Sequence, residues 1–370
     1  MVAKTQAARA GSAKPRRGNF SRSPLLVFYE ITQACDLVCN HCRACAQTNP
    51  RPDELSADES LRLIYQLSDF PSPPMLVLTG GDPLKRADIF SLIRHAVSRG
   101  LDVSITPSAT PLVTTEAIRQ LRDAGISRLA VSIDGADAPT HDATRGVQGS
   151  FERTLKVLEQ AGAEGIATQV NTTLTPGNVH QIDRMCQLLT PRGIVLWSVF
   201  FLIPTGRAKF APRLSATECE SAFATLWRQS RLQPYRIKTT EAPHYRRYIV
   251  QQQAARRKVD REVQRWTAGT PLGVNDGNGV MFIGHNGEIY PSGFMPLCCG
   301  RFPNDNVVRV YQDSKIFRAL RDSSNLQGKC HACEFRNICG GSRARAYAVT
   351  GSAFAEEPDC SYIPPEFANT

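Results

Sequence analysis

The sequence predicts an α/β protein, a partial (β/α)6 barrel open on one side, carrying a small cysteine-rich C-terminal module that holds a metal cluster. Three observations predict it. Apolar, β-branched runs alternate with helical stretches six times between about residues 25 and 201, the pattern of a parallel sheet with right-handed crossovers. Cysteines follow the first run at once, at Cys35, Cys39, Cys42 and Cys45. A turn-rich break at Gly273–Gly279 precedes a second group, Cys330, Cys333, Cys339 and Cys360.

The first run, Leu25–Thr32, is apolar, β-branched and aromatic and reads as a strand. Ser56 and Glu59 form a capping box ahead of a Leu61, Ile64, Leu67 stripe. Met75–Leu78, Asp102–Thr106, Arg128–Asp134, Ala167–Leu174 and Ile194–Phe201 are the next five strands. Helices are expected between them at about 88–98, 115–123, 151–163 and 179–189. A second capping box, Ser215 with Glu218, starts a helix that leads away from the sixth strand. Val280–Ile283 and Glu288–Tyr290 flank His285-Asn286-Gly287 as a hairpin. The chain divides accordingly into a disordered basic tail (1–24), the barrel (25–210), a helical connector (211–272) and the cysteine-rich module (273–370).

Composition narrows the function. Hydrophobic residues make up 42% and charged residues 21%, which suits a globular protein. No apolar run is long enough for a bilayer, and the N-terminus lacks the apolar core of a signal peptide. With twelve cysteines and no export signal, cluster or metal binding in a reducing cytoplasm is favoured over a disulfide scaffold. The net charge is +10, but Lys4, Arg9, Lys14, Arg16, Arg17 and Arg22 fall in residues 1–24 without any acid. A solvated tail explains that excess, and charge alone does not make a nucleic-acid binder.

The chemistry starts on the loop after the first strand, where α/β folds place their active sites. Cys35-x3-Cys39-x2-Cys42 offers three thiolates, enough to hold three irons of a cubane and leave the fourth open to a chelating small molecule. A zinc loop or disulfide knot is the alternative, although the next cysteine is as distant as Cys186. Gly80-Gly81-Asp82-Pro83 ends the second strand, and two glycines let a backbone approach a ligand closely. Arg207 beside Gly206, after the apolar sixth strand, suits an anion clamp at a pocket rim. Lys238, Glu241, His244, Tyr245 and Arg246 lie within ten residues and could hold a carboxylate or shuttle a proton. The same stretch also reads as the start of a solvated basic helix running to about Trp266. The four C-terminal thiols can close a zinc site or a fully ligated [4Fe–4S] cluster.

The cysteine loop resembles the signature of the radical S-adenosylmethionine (radical SAM) superfamily. The resemblance implies a [4Fe–4S] cluster on Cys35, Cys39 and Cys42 that binds S-adenosyl-L-methionine. Gly80, Gly81 and Asp82 are similar to the family's GGE-type turn, which takes the amino group, with Asp82 in place of Glu. By the same resemblance Ser132 and Arg145 are candidates for the methionyl carboxylate, and Asp134 and Asn171 for the ribose hydroxyls or their surroundings; a buried structural hydrogen bond is the alternative for each. The C-terminal cysteines resemble the SPASM module of maturation enzymes, in the form seen in alternative haem biosynthesis. Ser292 and Ser342 stand where that module has further cysteines, so one auxiliary [4Fe–4S] cluster is expected, on Cys330, Cys333, Cys339 and Cys360. The implied protein is an oxidoreductase that takes a low-potential electron donor such as ferredoxin or flavodoxin. Its substrate is a small molecule, a tetrapyrrole side chain, or, alternatively, a ribosomal peptide. A non-catalytic zinc protein is the remaining reading.

Iron and acid-labile sulfide should number about eight per chain after purification without oxygen, and about four in a Cys35/Cys39/Cys42→Ala triple variant. Cys45→Ala should keep the wild-type count.

Overall fold

The computed structural model describes residues 20–256 and 273–368. Of the basic stretch 1–24, residues 1–19 lie outside the described residues, as does the expected run of helix from 257 to Trp266. Ten strands form a single sheet. Seven are parallel and in chain order: β1 (Leu26–Glu30), β2 (Met75–Thr79), β3 (Asp102–Ile105), β4 (Arg128–Ser132), β5 (Thr168–Leu174), β6 (Leu196–Phe201) and β7 (Arg236–Thr240). Helices α1 (Ala57–Ser68), α2 (Ile89–Ser98), α3 (Thr115–Ala124), α4 (Ala138–Arg145), α5 (Ser150–Ala163), α6 (Ile182–Leu189) and α7 (Ala216–Ser230) lie between them, and α8 (His244–Arg256) follows β7. Both capping boxes form, Ser56 with Glu59 at α1 and Ser215 with Glu218 at α7. The apolar stripes of the helices meet the outer faces of the strands in one core, with Leu63, Ile93, Leu121 and Leu158 against Tyr29, Leu78 and Val131.

Two elements differ from the expectation. The stretch 211–272 is not helical throughout, because β7 extends the parallel run by one strand. Its sequence, Arg-Ile-Lys-Thr-Thr, lacks an apolar alternation; only Ile237 is buried. Arg236, Lys238 and Thr240 share a side with Asn171 and Ser198 across the ladder, the barrel interior. The hairpin of β8 (Val280–Ile283) and β9 (Glu288–Tyr290) forms as the sequence suggests, with Ile283 opposite Ile289. It also joins the barrel sheet, since β8 runs parallel to β1 with Leu26 opposite Val280. A short β10 (Gly300–Arg301) completes that edge. Helices α9 (Val307–Asp313), α10 (Lys315–Arg321), α11 (Gly328–Ala332) and α12 (Arg343–Thr350) follow.

The end of β1 is tied to both neighbours by one buried carboxylate. Arg43 Nη2 donates to Glu30 Oε2 at 2.7 Å, and His285 Nδ1 donates to Oε1 at 2.8 Å. This links the strand to the cysteine loop on one side and the hairpin turn on the other. Burial works against the charge on Glu30, but Arg43 and His285 outweigh it and hold the carboxyl down at about 2. A depressed carboxyl stabilises the fold above its unfolded value and loses that contribution as pH falls towards its folded value. Glu30→Gln should therefore lower the unfolding free energy in urea by on the order of 3 kcal/mol at pH 7. The gap to wild type should close between pH 4.5 and about 2.

Candidate active site and cluster sites

The C-terminal ends of the parallel strands open into a cleft of about 1220 Å³, including space continuous with solvent. Cys35, Cys39 and Cys42 all line it. Each sulfur accepts a nitrogen-borne hydrogen: Cys35 from Leu37 N–H at 3.4 Å, Cys42 from Ala46 N–H at 3.4 Å, and Cys39 from Arg145 Nη1 at 3.6 Å. Donors aimed at three sulfurs suit thiolates that carry a cluster's charge. Cys45 is exposed, has a left-handed backbone (φ 49°), and is not among the cleft's lining residues.

The glycine turn lies directly beneath this loop. Gly81 N–H donates to Thr32 O at 2.8 Å and Asp82 N–H to Ala34 O at 2.6 Å, so the β1–β2 ladder continues past both strands into the cysteine loop. A Cβ on Gly80 would lie 2.2 Å from Thr32 O, and one on Gly81 2.2 Å from Ala34 O. No side chain fits either position. Gly80 and Gly81 face the cleft, and Ser108 Oγ donates to Gly81 O at 3.0 Å.

The other expected cofactor residues divide into two sets. Ser132, Arg145 and Asn171 line the cleft. Asp82 and Asp134 do not; both are fully buried behind it. Asp82 accepts from Thr110 Oγ1 at 2.6 Å and caps the turn after it through Leu84 N–H, and burial raises its carboxyl despite these bonds. Asp134 accepts from Thr173 N–H at 2.7 Å and ion-pairs with Arg145 Nη2 at 2.5 Å. Burial opposes its charge, but Arg145, His41 and His141 prevail and hold it below the usual carboxylate range. Asp134 thus fixes the guanidinium that reaches Cys39. His141 accepts the Asp134 N–H at its Nδ1 and also lines the cleft, and burial pushes its ring down to about 4.

The stretch from Lys238 to Arg246 does not converge on the cleft: none of its five candidates lines it. Lys238 lies in register with Ser198, itself opposite Asn171, on the inner side of the sheet. Burial, with Arg128, Arg236 and Arg246 nearby, pushes its amine down to about 8. Glu241 sits past the end of β7 with a left-handed backbone (φ 59°) and accepts from Ser342 Oγ at 2.6 Å. Burial and the carboxyl of Asp276 raise it well above the usual range. Tyr245 packs on Phe223 in the apolar core. Arg246 donates to Ile338 O at 3.1 Å, next to Cys339. His244 faces a different cavity. Strand and helix geometry turns neighbouring residues to different sides, so closeness in sequence did not become closeness in space.

That second cavity is lined by Cys330, Cys333, Cys339 and Cys360, together with His244, Arg247 and Glu357. Here too every sulfur has a backbone donor: Glu357 N–H for Cys330 at 3.3 Å, Gly341 N–H for Cys339 at 3.4 Å, and Phe335 and Tyr362 for Cys333 and Cys360. The four thiols expected to act together are brought together. His244 is fully buried, and burial pushes its ring down to about 3. The cavity is joined to the barrel through Arg345. This buried guanidinium donates to Glu357 at 3.0 Å, to Glu241 O at 2.7 Å and to Phe201 O at 3.2 Å.

Several cleft residues escaped the sequence reading. His41 and Arg43 lie inside the cysteine loop itself, which was a usable signal. Phe294 reaches the cleft from the turn after β9, and no local pattern marks it. Arg207, expected at a rim, lines the cleft; its N–H donates to Cys42 O at 3.0 Å and its Nη1 to Ala46 O at 3.2 Å. Its Nε and Nη2 are buried without a hydrogen-bond partner.

A three-thiol loop beside a glycine turn, at the rim of a parallel barrel, defines an iron–sulfur enzyme that uses S-adenosylmethionine. Comparison with known proteins agrees. The Radical SAM superfamily description matches residues 29–189. An AdoMet-dependent heme synthase of Methanosarcina barkeri is 37% identical over 93% of this chain and 98% of its own length. One from Nitratidesulfovibrio vulgaris is 38% identical over 92% of both chains. A PqqA peptide cyclase of Bradyrhizobium diazoefficiens is 25% identical over 92% of this chain and 87% of its own. Among solved structures, Streptococcus suis SuiB bound to precursor peptide SuiA shares the fold, with a TM-score of 0.70 over 92% of this chain and 76% of that one, at 18% identity. The chain belongs to the radical SAM superfamily, in its SPASM-type branch.

Gly81→Ala should cut 5′-deoxyadenosine formation on the order of 100-fold, because the loop must move to admit the methyl group. Iron content should stay at the wild-type level; chromatographic assay of 5′-deoxyadenosine beside an iron determination separates the two effects.

Proposed function

We propose that this enzyme acts on a carboxylate-bearing side chain of a tetrapyrrole. The observation that carries the reading is the 37% identity to an AdoMet-dependent heme synthase along nearly the whole of both chains. The cleft supports it chemically. Arg43, Arg145 and Arg207 line it, and among the described lining residues there is no Asp or Glu. Phe200, Phe201, Leu202, Ile203 and Phe294 give it an apolar wall that suits a flat macrocycle.

The three loop thiols would hold a [4Fe–4S] cluster, which when bound supplies the electron that splits S-adenosylmethionine into methionine and a 5′-deoxyadenosyl radical. The backbone of Gly80 and Gly81 receives the methionyl amino group. Ser132 and Arg145 receive its carboxylate, and Asn171 meets the ribose. Asp134 acts one step back, holding Arg145. Arg145 is taken by Asp134 and the methionyl carboxylate, and Arg43 is paired with Glu30. Arg207 has no acidic partner within ion-pair distance among the described residues and still has two nitrogens to offer. It is the cation left to take a substrate carboxylate by a charge-assisted contact, made as the side chain turns its unpartnered, buried nitrogens towards the cleft. Removal of one hydrogen atom by the 5′-deoxyadenosyl radical from a propionate's ring-attached methylene would let the carboxylate leave as carbon dioxide and a vinyl group form, releasing one electron. The auxiliary cluster on the C-terminal thiols, when bound, supplies an acceptor for it. A reduced ferredoxin or flavodoxin would serve as the low-potential donor.

An iron porphyrin with propionate side chains, incubated anaerobically with S-adenosylmethionine and reductant, should yield carbon dioxide and 5′-deoxyadenosine in step. The relationship to the PqqA peptide cyclase supports a peptide substrate as the second reading. Formation of 5′-deoxyadenosine no faster with the porphyrin than without it, together with deuterium transfer from a labelled peptide, would favour that reading. Arg207→Gln should weaken porphyrin binding by about 10- to 100-fold, read as a spectral shift on titration, while S-adenosylmethionine binding is retained.

A further inference from the structure

The four-thiol cavity contains a side chain that the proposed reaction does not use. His244 is fully buried on α8 and lines the cavity beside Cys330, Cys333, Cys339 and Cys360. Neither of its ring nitrogens, Nδ1 or Nε2, has a hydrogen-bond partner. A buried ring with two unmet polar atoms is costly, and such groups are rarely left so. Phe223 meets the ring at 4.8 Å between centroids and 72° between planes, and Phe201 lies at 6.5 Å; both belong to the barrel side. Beside it, Arg247 Nε is also buried without a partner. The other nitrogens of Arg247 are engaged by Gln251 and Glu220.

The thiols do not need this imidazole, since each already has a backbone donor. The partner still missing is whatever fills the space between them. A cubane presents sulfide sulfur there, a hydrogen-bond acceptor. A neutral imidazole supplies one N–H to it without adding charge, and Arg247 lines the same cavity.

We propose that His244 donates its ring N–H to sulfur of the auxiliary cluster and thereby sets that cluster's reduction potential. The inference rests on the reading of the C-terminal thiols as a cluster site. A hydrogen bond to sulfur favours the reduced, more negative state and so raises the potential. His244 is a tuning residue: it makes the acceptor more ready to take the electron left by the substrate, and it touches neither substrate nor S-adenosylmethionine.

The test compares the anaerobically purified full chain with its His244→Phe and His244→Gln variants. Phe keeps the ring's bulk and removes the donor; Gln keeps an N–H. Iron and sulfide are counted, and the cluster signals are followed by electron paramagnetic resonance during a redox titration. The signal that survives in the Cys35/Cys39/Cys42→Ala background marks the auxiliary cluster. The expected result is full iron in all three proteins and a more negative auxiliary potential in His244→Phe. His244→Gln should return it towards wild type, with the other cluster unmoved. An unchanged auxiliary potential in His244→Phe at full iron content would overturn the proposal. About four irons already in the wild type, all lost in the triple variant, would instead remove the cluster reading beneath it.

Discussion

The site depends on one close approach of two backbones. Thr32 and Ala34 carry the chain out of β1, and their carbonyls accept the N–H groups of Gly81 and Asp82 at 2.8 and 2.6 Å. This contact has no room for a side chain on either glycine. It sets the height of Cys35 above the sheet. It also brings the glycine turn that lines the cleft to the loop that carries the thiols. Asp82 behind it and Ser108 beside it hold the turn from the other side. Binding here is organised by the main chain, and the side chains around it mostly keep that main chain in place.

A second organising contact joins the two cysteine groups. Arg345 is buried within α12, yet its guanidinium reaches Glu357 beside the auxiliary cavity and the carbonyls of Glu241 and Phe201 in the barrel. Phe201 lines the substrate cleft. One side chain thus spans the wall of the cleft and the support of the auxiliary thiols. Burying such a cation is favourable only because anionic and carbonyl partners surround it. The C-terminal residues therefore brace the ends of β6 and β7 as well as lining the four-thiol cavity.

The motifs were legible where chemistry requires residues adjacent in sequence. Three thiols on a short loop, two glycines at a strand end, and four thiols within thirty-one residues could all be read directly. The six alternating strands were legible for the same reason, since each buries both faces or one apolar face. Strand β7 was not, because its inner side is lined with Arg236, Lys238 and Thr240 in place of apolar residues. The scattering of the side chains of residues 238–246 has the same origin. Density of reactive side chains says nothing about direction, and Tyr245 points into the core while its neighbour His244 points at the auxiliary thiols. Asp134 illustrates a subtler limit: its place at a strand end was visible, but its position behind Arg145 follows from burial alone.

Ser292 and Ser342, the two serines that replace expected cysteines, are bridged by acids. Asp276 bonds the hydroxyl of Ser292 and the carboxyl of Glu241, and Glu241 accepts from Ser342 at 2.6 Å. Four side chains from distant parts of the chain close a continuous polar bridge there. Cysteine at either serine would meet a carboxyl already hydrogen-bonded into this bridge. The ground between them has been settled by two carboxyls, and Glu241 is pinned there by its own strained backbone. A metal centre placed there would have to displace both carboxyls as well as replace both serines, so the four positions behave as one unit.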